Sequence, residues 1–182
     1  MEDGIDDEQL GTLAEEGDHW RLIFTRFLPH QHERVWRAVT EPEQLSAWFP
    51  QKIVGERRAG ASLRFESSTG DAFEGTMQVY EPPRVIEFVW GGDTLRIDLQ
   101  SDGDGTILTL SDTFDELGKA ARDAAGWHEC LDRLSAELAG SGIPLWGDRW
   151  RVVHPQYVFR LGPAATTIGP PEGWEEAVGD RG

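Results

Sequence analysis

The 182-residue sequence has little cysteine, methionine or tyrosine and few basic side chains. Its one cysteine, Cys130, excludes an internal disulfide, and the default reading is a reducing cytoplasm. Seventeen Lys and Arg stand against 33 Asp and Glu, a net charge of -16. Such an excess repels nucleic-acid phosphates and anionic lipid on average. The adjacent Arg57 and Arg58 read as part of a solvated loop rather than as a basic patch. No run of about 18 apolar residues occurs, so no membrane span is expected. The first residues are acidic and lack an apolar core, so no secretory signal is expected. Gly-x-Ser-x-Gly and P-loop spacings are both missing, which removes the commonest signatures of a serine nucleophile and of phosphate binding.

What is present suits one domain. Hydrophobic residues make up 38% of the chain and include eight Trp, enough for one filled core. Residues 1–18 carry eight acids and no Lys or Arg, and read as an acidic flexible arm. Residues 19–28 alternate, with Trp20, Leu22, Phe24 and Leu28 on one face broken only by Arg26, the pattern of a strand. A helix carrying Val35, Ala38 and Val39 should stop near Thr40, because a residue before proline resists α geometry. Pro42 suits the first turn of a second short helix, with Leu45, Trp48 and Phe49 at i, i+3, i+4 and Pro50 as its stop.

Strands are then expected over 61–65, 72–80, 84–90, 94–100 and 106–114, joined by turn-rich segments short enough to make the sheet antiparallel. The stretch 102–105, Asp-Gly-Asp-Gly, is such a turn, since it lacks the remaining ligands of a calcium loop. A long helix over 118–138 places Ala120, Ala124, Trp127, Leu131, Leu134 and Leu138 on one stripe, with Gly140 as its stop. In residues 140–182, Trp150, Val153 and Tyr157 fall at roughly helical spacing, so a short helix interrupted at Pro155 and ended by Gly162 is expected. The tryptophans there argue for a tail packed on the domain.

The fold class is therefore α+β: a strand, two short helices, an antiparallel run of strands and a long C-terminal helix. The segments 34–49, 73–91, 103–114 and 124–134, in that order, resemble the START-like (SRPBCC) superfamily, in the branch homologous to the C-terminal domain of the activator of the heat-shock chaperone ATPase. The resemblance covers residues 19–139. It implies a helix-grip fold, in which a curved sheet of about six to seven strands wraps around the long helix and leaves an apolar cavity. It also implies a choice of roles: binding of lipids, polyketides or other apolar molecules, contacts with a chaperone, or cyclase-type chemistry.

Inward-facing candidates for such a cavity are Phe65, Phe73, Met77, Phe88, Trp90, Trp127 and Leu131, with Trp48 and Phe49 as a gate at its mouth. Gly75 would leave room inside, and Thr109 or Ser111 could orient a ligand. The same aromatics serve equally as an ordinary core, and the two readings part on whether Trp48 borders empty space. His128, and Glu129 beside it, are candidates for pocket acid–base chemistry if one of them points into the cavity, with His128 the one singled out. Cys130 reads as core, and His30, His32 and Glu33 as a polar helix start rather than metal ligands. The leading expectation is a cytoplasmic START-like domain, monomer or homodimer, that binds a small hydrophobic molecule without metal or cofactor. A protein-interaction or chaperone-associated module, and a cyclase or hydratase using His128, are the alternatives.

Overall fold

The computed structural model describes residues 6–170. Eight strands form one antiparallel sheet: β1 (Thr12–Glu16), β2 (His19–Leu28), β3 (Lys52–Val54), β4 (Ser62–Glu66), β5 (Ala72–Glu81), β6 (Val85–Trp90), β7 (Asp93–Asp102) and β8 (Gly105–Phe114). Their order across the sheet is β1-β2-β8-β7-β6-β5-β4-β3. Helices α1 (His32–Thr40) and α2 (Pro42–Leu45) follow β2, α3 (Ala120–Ala139) follows β8, and α4 (Asp148–Leu161) follows α3. The α+β helix-grip expectation holds, with two more short strands than the sequence pattern shows.

Those two strands are the edges. β1 lies in the segment expected to be a flexible arm, where Thr12–Glu16 pairs residue for residue with Ile23–His19. A strand on an edge needs only one paired side and tolerates acids on its open side, so acidic composition did not exclude it. β3 is three residues long and pairs with β4. Of the tail expected over 140–182, residues 148–161 form one unbroken helix with Pro155 inside. The proline removes one i→i−4 hydrogen bond. Packing compensates, because Val153 and Tyr157 are wholly buried. The rest of that tail from 171 on, with Trp174, lies outside the described residues.

Alternation decides what the core contains. Leu22, Phe24, Arg26 and Leu28 of β2 face inward, as do Leu108, Leu110, Asp112 and Phe114 of β8. Thr109 and Ser111 therefore stand on the opposite face, and the inward polar residue of β8 is Asp112. Gly75 does not leave room in the interior. A Cβ there would lie 2.1 Å from the Val89 carbonyl oxygen, so its missing side chain admits the neighbouring strand.

Helix α3 is buried on more than one side, because the sheet covers one face and α4 another. Its end is set by Gly140, whose φ of 66° is left-handed. Gly11, Tyr157 and His128 tie three parts of the chain together. The Gly11 N–H donates to Tyr157 Oη at 2.8 Å, and Tyr157 Oη lies 2.9 Å from His128 Nδ1. On the other side of the ring, His128 Nε2 lies 3.5 Å from Asp132 Oδ2.

Candidate functional site

The break at Pro42 puts the aromatic pair in place. Pro42 starts α2 without needing an N–H, and the chain turns back as Phe49 N donates to the Leu45 carbonyl at 2.8 Å. Trp48 ends up fully buried, its indole N–H donating to the Ala38 carbonyl of α1 at 2.9 Å. Phe49 sits among rings, with centroids 5.7 Å from Trp48, 6.0 Å from Phe88, 6.4 Å from Trp90 and 5.8 Å from Trp127. Phe65 stacks on Phe73 at 5.1 Å and meets Phe88 at 5.6 Å. Met77 and Leu131 are buried in the same cluster. These rings pack on one another between sheet and helix, the space that the sequence leaves open as either core or cavity. Trp48, fully buried, packs as a plug in that core.

The open space lies one layer further out. A cleft of about 260 Å³ is lined by Trp90 and Trp127 from the nominated set, together with Trp146 and Trp150. Pro50, Gln51, Arg122, Asp123, Gly126, Glu129 and Cys130 complete it. The other nominated residues, Trp48, Phe49, Phe65, Phe73, Met77, Phe88 and Leu131, stand behind its wall. The cleft exists because α4 and the segment before it lean on α3. Glu129 of α3 accepts from Gly147 N at 3.0 and 2.9 Å and from Trp150 N at 2.9 Å, which caps the start of α4 with a carboxylate. Trp146 lies against Arg133, whose guanidinium carbon is 3.9 Å from the ring centroid. The sequence signal for this wall was the unusual apolarity of the tail. What it did not carry was the pairing of that tail with α3 rather than with the sheet.

Three of the four tryptophans are pinned by their N–H groups. Trp90 Nε1 donates to Gln51 Oε1 at 2.9 Å, Trp127 Nε1 to Asp112 Oδ2 at 2.9 Å, and Trp150 Nε1 to the Arg122 carbonyl at 3.2 Å. Trp90 and Trp127 meet edge to face at 5.3 Å. The cleft thus offers fixed π faces.

Behind Trp127 is an acidic cluster that no sequence pattern joined. One carboxylate oxygen each from Asp93, Asp112 and Asp123 lies within 4.8 Å of the others. Lys119 Nζ sits at 2.6 and 2.7 Å from the two Asp93 oxygens and 3.5 Å from Asp123. An ammonium group therefore supplies the positive charge that a metal ion would bring. Burial, and then the neighbouring Asp93 charge, push the Asp112 carboxyl up to about 8. Asp112 is thus a neutral acid at pH 7.

His128, the nominated pocket acid or base, does not reach the cleft. It is fully buried between Tyr157, Asp132, Arg26 and Arg149, and burial lowers its pKa to about 4. On a helix, residues 127 and 128 point about 100° apart, so Trp127 faces the cleft and His128 faces α4. Cys130 lines the cleft but its thiol is pushed up by burial, which makes it a poor nucleophile. His32 Nδ1 bonds Ser101 Oγ at 2.9 Å, at the far end of the sheet from these groups.

Residues 29–139 match the family described as activator of Hsp90 ATPase homolog 1-like protein. Solved structures share the fold. A conserved protein of unknown function from Enterococcus faecalis aligns at 21% identity and a TM-score of 0.71, over 83% of this chain and 90% of that one. CalU16 from Micromonospora echinospora aligns at 22% and 0.66, over 85% and 100%. A protein from Bordetella parapertussis aligns at 24% and 0.63, over 80% and 87%. No curated protein matches the sequence.

Proposed function

Because the chain belongs to the activator of Hsp90 ATPase homolog 1-like family, we propose that it works as a START-like domain that binds a small, largely apolar aromatic molecule in the cleft of Trp90, Trp127, Trp146 and Trp150. The observation that carries this reading is the cleft itself. Four tryptophans converge on one concave space of about 260 Å³, where a domain with no ligand to hold would normally close over or fill with side chains. Native mass spectrometry of the protein purified from its own host should show a bound mass of a few hundred daltons. Trp146→Ala removes one wall while leaving the sheet–helix core intact, and should weaken retention of that mass about fivefold to tenfold. A chain at bare mass, both from its host and after incubation with aromatic compounds, would sink the reading.

One observation favours a second reading, an interaction module. On α4 the side chains Val152, Pro155 and Phe159 fall at i, i+3 and i+7 on the outer face, and Phe159 is 92% exposed. A large exposed aromatic in such a stripe suits a protein partner, and the family description supplies a chaperone to test. Adding the purified chain to an Hsp90-type chaperone should raise its ATP turnover, and Phe159→Ser should remove the effect. Unchanged turnover with the native chain would eliminate this reading and leave the ligand reading standing.

A further inference from the structure

Resting on the reading of the tryptophan cleft as a ligand site, we propose that the ligand is a planar aromatic molecule bearing a hydrogen-bond acceptor oxygen, as a ketone or a carboxylate, on one edge. Donors and acceptors at the wall are unevenly matched. The side-chain acceptors there already hold donors. Glu129 accepts from Gly147 N and Trp150 N, and Asp123 accepts from Arg122 Nε at 2.7 Å and faces Lys119 Nζ. Gln51 Oε1 holds the Trp90 indole N–H.

The donors are in surplus. Gln51 spends its oxygen on Trp90, and its amide N–H groups bond nothing among the described residues. Arg122 spends Nε on Asp123, and its two terminal nitrogens likewise find no acceptor among the described residues. A ligand that fills the cleft desolvates these groups. Donors left without acceptors in a dry site are costly, so the ligand must bring acceptors to be held well. A ligand bringing donors would meet acceptors that each hold at least one donor already, and would leave the unpaired donors of Gln51 and Arg122 unmatched.

The π faces set the rest of the shape. Three indole rings are held by their own N–H bonds, so the walls are fixed before binding and little ordering cost remains. Flat faces at fixed angles favour a rigid ring system over a flexible alkyl chain. The pairing of Arg122 with Asp123 leaves no net charge between them, which lets a neutral ketone and an anionic carboxylate share the site. They differ in that the chain's net charge of -16 repels the carboxylate and makes its affinity rise with added salt.

The test is calorimetric titration of the full 182-residue chain with four probes: naphthalene, 2-acetylnaphthalene, 2-naphthoate and 2-naphthylmethylamine. The two oxygenated probes should bind about tenfold more tightly than naphthalene, and the amine no more tightly than naphthalene. Gln51→Glu keeps an acceptor for the Trp90 indole while deleting the amide donors, and should bring the ratio of acetylnaphthalene to naphthalene affinity down toward one. Equal affinity for naphthalene and its oxygenated forms, or tightest binding by the amine, overturns the acceptor inference and leaves the cleft a ligand site. Failure of all four probes to bind overturns both.

Discussion

Trp48→Ala is expected to destabilise the domain by about 4 kcal/mol, the range for deleting a buried large aromatic. The change shows as a lower urea midpoint with an unchanged slope. Trp48 is fully buried, its indole N–H is bonded to the Ala38 carbonyl, and its ring abuts Phe49. Removing it opens a cavity and also strands a buried carbonyl. Trp48→Phe separates these contributions, because it restores most of the volume but not the hydrogen bond, and should cost about 1–2 kcal/mol. A gate residue would behave differently. It would cost little stability and would alter the rate of ligand entry. A Trp48→Ala loss below about 1 kcal/mol would reject the plug assignment.

Asp112→Asn is expected to change the pH dependence of stability strongly. The folded carboxyl sits at about 8 against 3.8 for the free side chain, so the folded state holds a proton that the unfolded chain has given up. Stability from this group is fully present below pH 3.8 and is lost as pH rises through about 8. Asparagine does not ionise, and its amide oxygen still accepts from the Trp127 indole. Relative to native protein, the variant should therefore gain up to roughly 1.4 kcal/mol per pH unit between about 4 and 8, with no further gain above. The groups facing Asp112 are Asp93, Asp123, Lys119 and Trp127, and all remain in the variant. Parallel curves for native and variant protein in urea melts from pH 5 to 9 would disprove the neutral-acid assignment.

Much of the fold could be read before any coordinates, for a physical reason. The alternation in 19–28 and 94–100, the proline at 42 and the apolar stripe of 120–138 are local signals, and each element followed from residues within itself. β1 escaped because an edge strand has one unpaired side and needs no apolar face. Pro155 misled because the packing of Val153 and Tyr157, which carries α4 through the proline, is a tertiary effect. The site was legible only in part. Of the residues expected to line a cavity between sheet and helix, Trp90 and Trp127 border the cleft. Phe49, Phe65 and Phe88 point into the space between sheet and helix and close it, and no periodicity reveals how well several rings interlock. Trp146 and Trp150 belong to a segment whose docking depends on the Glu129 carboxylate capping a helix 18 residues further along. Nothing in local sequence announces that bond.

The acidic stretch that forms β1 also governs how the molecule meets its own copies. A ten-residue strand such as β2, rich in Trp, Leu, Ile and Phe, would be a strong template for another chain if it formed the margin of the sheet. β1 takes that position with five residues, of which Glu15 and Glu16 are charged, while the opposite margin is only three residues long and carries Lys52. The segment thus works as a guard. It ends the sheet on a short border bearing Glu15 and Glu16, a poorer template for the strands of another molecule than β2 would be.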